Sequence, residues 1–280
     1  MRITVVADVH GNIDALARVA ATAEKLVVLG DLLDYVDYHE PSRGILGQIF
    51  GAEPVRHFSK LRAAGEFPAL HRYNAGLWSQ LSDPVGVLSE IVQMRYRQVL
   101  DAVGPDALLT LGNVDVAAEW NRVAGTTLPY LDGQVVQLDG VRLGFVAGGA
   151  TRRERPLVVD GQVWRPLVRS RDDYRAAVQA LGPVDVLCSH VPPDLPLLRY
   201  DVVPARLEMA GPGLLEHIDR HRPAVALFGH VHQPLAPRER RGVTECINVG
   251  HFQRAERPFT LDLSRLQAGA QVAGATAALR

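Results

Sequence analysis

The 280-residue chain is short of most features that would place it at once in a special class. No apolar run reaches the ~18 residues that a membrane helix needs. The chain enters a strand-like run directly, without a charged leader, an apolar signal core or a small-residue cleavage site. Cysteine is scarce. Cys188 and Cys246 both lie in apolar runs, which suits buried reduced thiols and excludes a disulfide-stapled scaffold. Charge of one sign is not in excess either: 30 basic and 31 acidic residues leave a formal net charge of −1. That balance supplies no electrostatic case for nucleic acid or a membrane surface as partner. No internal repeat is visible. These absences together lead to the expectation of a cytoplasmic globular protein.

What is present is an apolar fraction of 47%, enough for a large core, distributed as short runs that end in polar clusters. Ile3–Ala7 is β-branched and apolar and ends in Asp8-Val9-His10-Gly11-Asn12. Such a run reads as a buried strand, and the small and apolar residues after it suit a helix over 12–22. The run 25–29 ends in Gly30-Asp31-Leu32-Leu33-Asp34. The run 107–111 ends in Gly112-Asn113-Val114-Asp115, and 184–188 in Ser189-His190-Val191-Pro192-Pro193. The run 224–228 ends in Gly229-His230-Val231-His232. Open α/β sheets bind ligands outside the carboxyl ends of their strands. Five such runs would therefore deliver Asp, Asn and His to one edge. Borderline divalent metals accept this mixed set of ligands. A pair of metals about 3.5–4 Å apart can activate water and clamp a phosphoryl group.

At these residues the chain resembles the calcineurin-like metallophosphoesterases. That family's blocks are D-x-H, G-D-x-x-D, G-N-H-D or G-N-x-D, a histidine before a proline-containing loop, and G-H-x-H. All five occur here in order, over roughly residues 1–252, and the G-N-x-D form is closest to the compact bacterial phosphodiesterases. The resemblance implies an α/β fold with two mixed β-sheets in a sandwich flanked by helices. It implies two transition metal ions (Mn, Fe or Zn) and hydrolysis of phosphodiesters by a hydroxide bridging them. Asp31 would bridge both metals; Asp8, His10 and His232 would complete one, and Asn113, His190 and His230 the other. Asp31 and Asn113 thereby belong to the catalytic centre as well. A phosphomonoesterase or protein phosphatase is the alternative within enzymes, and a scaffold that keeps the fold without catalysis the alternative outside them. The filled ligand positions argue against the scaffold.

Two departures concern proton transfer. Many family members carry a histidine that protonates the leaving group where this chain has Val114. Asp115 then has no obvious histidine to orient. His251 follows Asn248-Val249-Gly250, where the family often has a small hydroxyl residue, and His39 lies in the loop after Asp31. Either could replace the missing acid, though each reads first as an ordinary loop residue. Asn12 and Asp34 suit support of the ligand loops or simple capping and turn chemistry. Arg152, Arg153 and Arg155 form a basic loop that reads first as solvated and otherwise as a contact for phosphate. His217 and His221 sit on an expected helix and are read as satisfied or surface histidines.

The blocks span nearly the whole chain, so residues 1–263 read as one domain, with an Ala/Gly-rich tail over 264–280. Between Asp31 and Asn113 lies a long stretch with no motif. It carries apolar residues such as Ile45, Phe58 and Trp78, and prolines at helix-start spacing. Residues 35–104 therefore read as three short helices and a longer one over about 85–103. Their expected role is a cap over the metal site or a homodimer surface. The expected partner in solution is a small phosphate ester.

Overall fold

The computed structural model describes residues 1–151, 162–200 and 209–266. The chain opens with β1 (Arg2–Val6), α1 (Ile13–Ala20) and β2 (Leu26–Leu29). Four helices follow: α2 (Ile45–Phe50), α3 (Ala52–Ala63), α4 (Phe67–Trp78) and α5 (Pro84–Val103). Next come β3 (Leu108–Thr110), α6 (Ala117–Ala124), β4 (Gln134–Leu138), β5 (Val141–Val146) and the short β6 (Gly149–Ala150) and β7 (Val168–Arg169). The remainder is α7 (Arg171–Ala180), β8 (Val186–Ser189), α8 (Leu214–His221), β9 (Val225–Phe228), β10 (Arg238–Arg241), β11 (Thr244–Asn248), α9 (Phe252–Ala255) and β12 (Phe259–Asp262).

Local chemistry explains several boundaries. Pro84 opens α5, where a missing N–H costs nothing, and the Asp83 carboxylate accepts the Gly86 N–H at 2.9 Å. Ser170 caps α7 in the same way through the Asp173 N–H. Asp139 and Gly140, at φ 50° and 75°, form the tight turn that joins β4 to β5. The second hairpin turns at Gly242-Val243, because Arg241 pairs with Thr244. The β6–β7 pair and α9 carry too few residues for a periodicity signal.

Two mixed sheets face each other. The first runs β12-β1-β2-β3 and the second β10-β11-β9-β8-β5-β4. Period-two alternation sorts each strand between two cores. Ile3, Val5, Val27 and Leu29 meet Phe145, Cys188 and Leu227 between the sheets. Val6, Leu26 and Val28 point outward into a core shared with α1, α5, α6 and the helices α2 to α4. Leu187, Ala226 and Phe228 point to the opposite outer core, under α7 and α8. The result is an α/β/β/α sandwich. Strands buried on both faces need apolar residues throughout, which is why β2, β8 and β9 are fully buried runs. Cys188 and Cys246 are buried and unbridged.

Topology then fixes where the motifs go. β1, β2 and β3 are mutually parallel, as are β8 and β9. The loops that leave all five strands therefore emerge on one edge of the sandwich. α5 packs against both α1 and α6 and so belongs to the helix layer itself. α2 to α4 extend that layer toward the same edge. Beyond residue 266 the expected tail lies outside the described residues. Among those residues no helix is long and apolar enough to cross a membrane.

Candidate metal centre

The edge loops are unusual in their backbone. Asp8, His10, Asp31 and His230 all have positive φ, at 57°, 41°, 51° and 67°. For a residue with a Cβ this region costs roughly 1–2 kcal/mol, and such strain gathers at functional sites. The loops hold one another in place. The N–H groups of Asp8, His10 and Gly11 donate to the carbonyls of Gly30, Asp31 and Leu32 at 3.1, 2.9 and 2.9 Å. The His230 N–H donates to both oxygens of the Asp8 carboxylate, at 3.1 and 2.9 Å. Close approach explains two motif glycines. A Cβ on Gly30 would stand 2.2 Å from the Gly112 nitrogen, and one on Gly229 would stand 2.4 Å from the Ala7 Cβ.

The side chains converge. His10 Nε2 lies 3.2 Å from His232 Nε2, 3.9 Å from Asp8 Oδ1 and 3.8 Å from Asp31 Oδ2. His232 Nε2 lies 3.4 Å from Asp8 Oδ1. On the other side, His190 Nε2 lies 3.3 Å from Asp31 Oδ1 and 2.9 Å from Asn113 Oδ1. Asp31, His190 and His230 form one compact triad of donor atoms, and Asp8, His10 and Asp31 another. All seven residues expected to ligate metal thus meet at one place. Asp31 alone belongs to both triads, with a different oxygen toward each.

Orientation and electrostatics favour a cation at this spot. His10 Nδ1 lies 2.9 Å from the Leu33 carbonyl and His190 Nδ1 2.8 Å from that of Leu29. A carbonyl partner requires Nδ1 to carry the hydrogen, and Nε2 is then aimed at the centre. Burial pushes the Asp31 pKa up, but His190 and His10 and the Val114 N–H outweigh it and hold the carboxyl well below the usual range. Asp8 is also lowered, by His232 and His190 against the cost of burial. Burial disfavours the charged form of His190, yet Asp31 and Asp8 raise it to about 9. The two buried carboxylates therefore favour positive charge beside them. Two cations would supply that charge, so the residues fit the metals implied by the motifs.

His251 joins this cluster. Its ring stacks on His232 with centroids 3.7 Å apart, and its nitrogen lies within reach of both His10 and His232. Burial and the two neighbouring imidazoles push its pKa down to about 4. His39 is exposed and lines the mouth of the cavity without joining the cluster. Val114 also lines the cavity, and its backbone N–H supports Asp31 at 2.9 Å. Asn12 is a capping residue: its side chain accepts the Ala15 N–H and donates to the Gln253 carbonyl. Asp34 is buried beside Gly11, with one oxygen unpartnered, and burial raises its pKa to about 7. Arg152, Arg153 and Arg155 lie outside the described residues.

Sequence reading missed three contributors. Asp115 orients no histidine. It is fully buried, and its carboxylate accepts the N–H groups of Leu32, Leu33 and Gly112 at 3.0, 3.2 and 2.7 Å. It therefore ties the loop after β2 to the loop after β3. Tyr200 ties down the histidine loop: its hydroxyl donates to the His230 carbonyl and accepts the His232 N–H, both at 3.0 Å. Arg62 of α3 reaches the cavity beside Tyr38. Spacing in the chain carries no signal for any of these pairings.

His10, Asp31, Asn113, His230 and His232 line a cavity of about 380 Å³ whose other wall comes from residues 35–39, α3 and Trp164. A larger cleft of about 700 Å³ lies between α7, α8 and the Pro193 loop; Val231 lines it, but none of the candidate ligands does.

A family model described as calcineurin-like phosphoesterase matches residues 1–234. One solved structure aligns over 94% of this chain and 95% of its own at 19% identity, with a TM-score of 0.60. The protein TT1561 of Thermus thermophilus aligns over 93% of this chain and 98% of its own at 12% identity, with a TM-score of 0.52. Likeness at these identities concerns the fold. An archaeal phosphodiesterase covers 95% of each chain at 9% identity, with a TM-score of 0.37 too low to support an argument. No curated protein matches the sequence.

Proposed function

Because the chain belongs to the calcineurin-like phosphoesterases, we propose that it is a hydrolase of phosphodiesters that works with two transition metal ions. The observation that carries this reading is the position of Asp31, which turns one oxygen toward His10 and the other toward His190. A carboxylate shared in this way suits a bridge between two cations. Asp8, His10 and His232 would complete one site, and Asn113, His190 and His230 the other. The donor set of carboxylate, amide and imidazole without thiolate favours Mn, Fe or Zn. Cations held there would supply Lewis acidity toward water and toward the phosphoryl oxygens.

The protein's own groups then divide the work. The strained loops fix the donors before substrate arrives, so little reorganisation is needed during the reaction. The wall formed by Tyr35, Tyr38, Phe58 and Trp164 restricts what can approach, which makes residues 35–82 a cap. The exposed apolar residues Phe67, Val85 and Met94 stand on α4 and α5 rather than at the cavity, and a homodimer surface is the weaker use. Phosphodiesters are favoured because the Gly112-Asn113-Val114-Asp115 block has the form that the compact bacterial phosphodiesterases carry, and the missing acid at Val114 argues against a protein phosphatase. His251 is held low and packed against His232, and His39 is exposed at the mouth.

Metal analysis with an activity panel tests the reading. The expected result is bound transition metal and hydrolysis of nitrophenyl diesters, with alkyl diesters much slower, since a general acid is worth roughly 10²–10⁴-fold only where the leaving group needs a proton. Val114→His should narrow that gap. Asp31→Asn should lower both metal content and turnover. A protein that takes up no Mn, Fe or Zn and hydrolyses neither ester class would defeat the proposal.

A further inference from the structure

The cavity beside the candidate metal ligands meets a cationic side chain. Among the described residues lining it, Arg62 is the only arginine or lysine. It comes from α3, in the stretch that carries no family motif. Its guanidinium lies 4.9 Å from the centroid of the Tyr38 ring, and one of its N–H groups donates to the Tyr38 hydroxyl. It makes no ion pair among the described residues, in contrast to Arg43, Arg56 and Arg122, which are paired with glutamates on their own helices or turns. Asp34 and Asp37 line the same cavity. Asp37 accepts the N–H groups of His39 and Glu40, both at 2.8 Å. The main charge opposing the burial of Asp34 is Arg95. Tyr200, the residue that holds the His230 loop, lines the same cavity as Arg62.

An arginine held by an aromatic ring and a hydroxyl, rather than by a carboxylate, keeps most of its donors and its full charge for a ligand. Those donors match phosphoryl oxygens in geometry. We propose that Arg62, positioned by Tyr38, binds a non-bridging oxygen of the substrate's phosphoryl group across the cavity from the metal ligands. The inference rests on the reading of the cavity as a phosphoesterase site. It assigns the cap a binding role in addition to its steric one, and it makes the cap the source of the anion contact that the five motifs do not provide. Tyr38 is a positioning residue: it fixes the guanidinium plane without touching phosphate itself.

The test uses the full chain loaded with Mn²⁺ and inorganic phosphate as probe, so that it does not depend on turnover. Calorimetric phosphate affinity and steady-state constants for bis(p-nitrophenyl) phosphate are compared for wild type, Arg62→Ala, Arg62→Lys and Tyr38→Phe, with thermal melts as a folding control. Loss of a charge-assisted contact should weaken phosphate binding roughly tenfold to a hundredfold in Arg62→Ala. KM should rise by a similar factor and kcat should change less. Arg62→Lys should recover part of the loss, and Tyr38→Phe, which keeps the ring, should fall between wild type and Arg62→Ala. Equal phosphate affinity in wild type and a folded Arg62→Ala would overturn the inference while leaving diester hydrolysis standing. Phosphate binding that depends on Arg62 in a protein without esterase activity would keep the inference and defeat the functional reading instead.

Discussion

The two walls of the cavity are built by different means. The ligand wall is held by backbone. Its loops exchange N–H and carbonyl groups across β1 and β2, its carboxylates accept main-chain N–H groups, and four of its residues stay in the left-handed region. The cap wall is held by side chains. Tyr35 stacks on Trp164 with centroids 4.2 Å apart, its hydroxyl joins Asn74 to Trp78, and Tyr38 carries Arg62. Backbone restraint fixes positions to a fraction of an ångström and tolerates few substitutions. Side-chain restraint can be rewritten one residue at a time. On the proposed function, the contrast separates a part preorganised for chemistry from a cap that would set substrate choice.

The largest effect should come from breaking the backbone restraint at Asp115. Asp115→Ala removes the acceptor for three buried N–H groups, each worth about 1–3 kcal/mol when left unpaired. A loss of more than about 3 kcal/mol is expected by urea unfolding, together with reduced metal uptake, because Asp31 and Asn113 stand on the two loops that Asp115 joins. Asp115→Asn keeps an oxygen acceptor and should cost less. A loss below about 1 kcal/mol in Asp115→Ala would mean that the loops are held without it.

The histidines sharpen the same contrast at smaller magnitude. At the edge, His190 is raised to about 9 by its carboxylates. In α8, on the far side of the second sheet, His217 is buried without a partner for Nε2, and burial with the nearby His221 lowers it to about 4. The sign follows from the unfolded value of 6.5. The unfolded chain takes up a proton as pH falls through that value and folded His217 does not until near 4. Stability is therefore complete above about pH 6.5 and declines below it, by about 2 kcal/mol at pH 5. His217→Gln should flatten that part of the profile, read as urea midpoints between about pH 7 and 5. An unchanged slope would assign the loss to other groups.

How much of this was legible in the sequence follows from the same division. The ligand wall was legible because each donor sits at a fixed place after a buried strand, and parallel topology carries all five strand ends to one edge. The four helices between Asp31 and Asn113 were legible from apolar residues and prolines, and α5 begins at Pro84 as that signal requires. Pairings across the fold were not. Asp115 contacts residues more than eighty positions earlier, and Tyr200 meets His230 thirty positions on. Neither partner alters the local pattern around the other. The positive φ at Asp8, His10 and Asp31 was illegible for a related reason: those angles are imposed by tertiary hydrogen bonds, not by residue preference.

The smallest effect is expected within the cap wall, at Tyr35. Its hydroxyl donates to Asn74 Oδ1 at 2.8 Å and accepts the Trp78 indole N–H at 2.9 Å, linking the loop after β2 to α4. Tyr35→Phe keeps the ring on Trp164 and removes only those two bonds. A buried hydrogen bond is worth about 1 kcal/mol net, and Asn74 is partly exposed and can turn to water, so the cost should be about 1–2 kcal/mol. The more informative readout is function. If the cap is held by side chains alone, loosening it should leave metal content at the wild-type level and shift relative rates between small and bulky diesters by a few fold. If metal content falls with it, the two walls are coupled, and the division between a fixed ligand wall and an adjustable cap does not hold. Metal analysis and a two-substrate comparison on the same preparation decide between these outcomes, because a folded protein with full metal and an altered size profile can arise only from the cap side of the cavity.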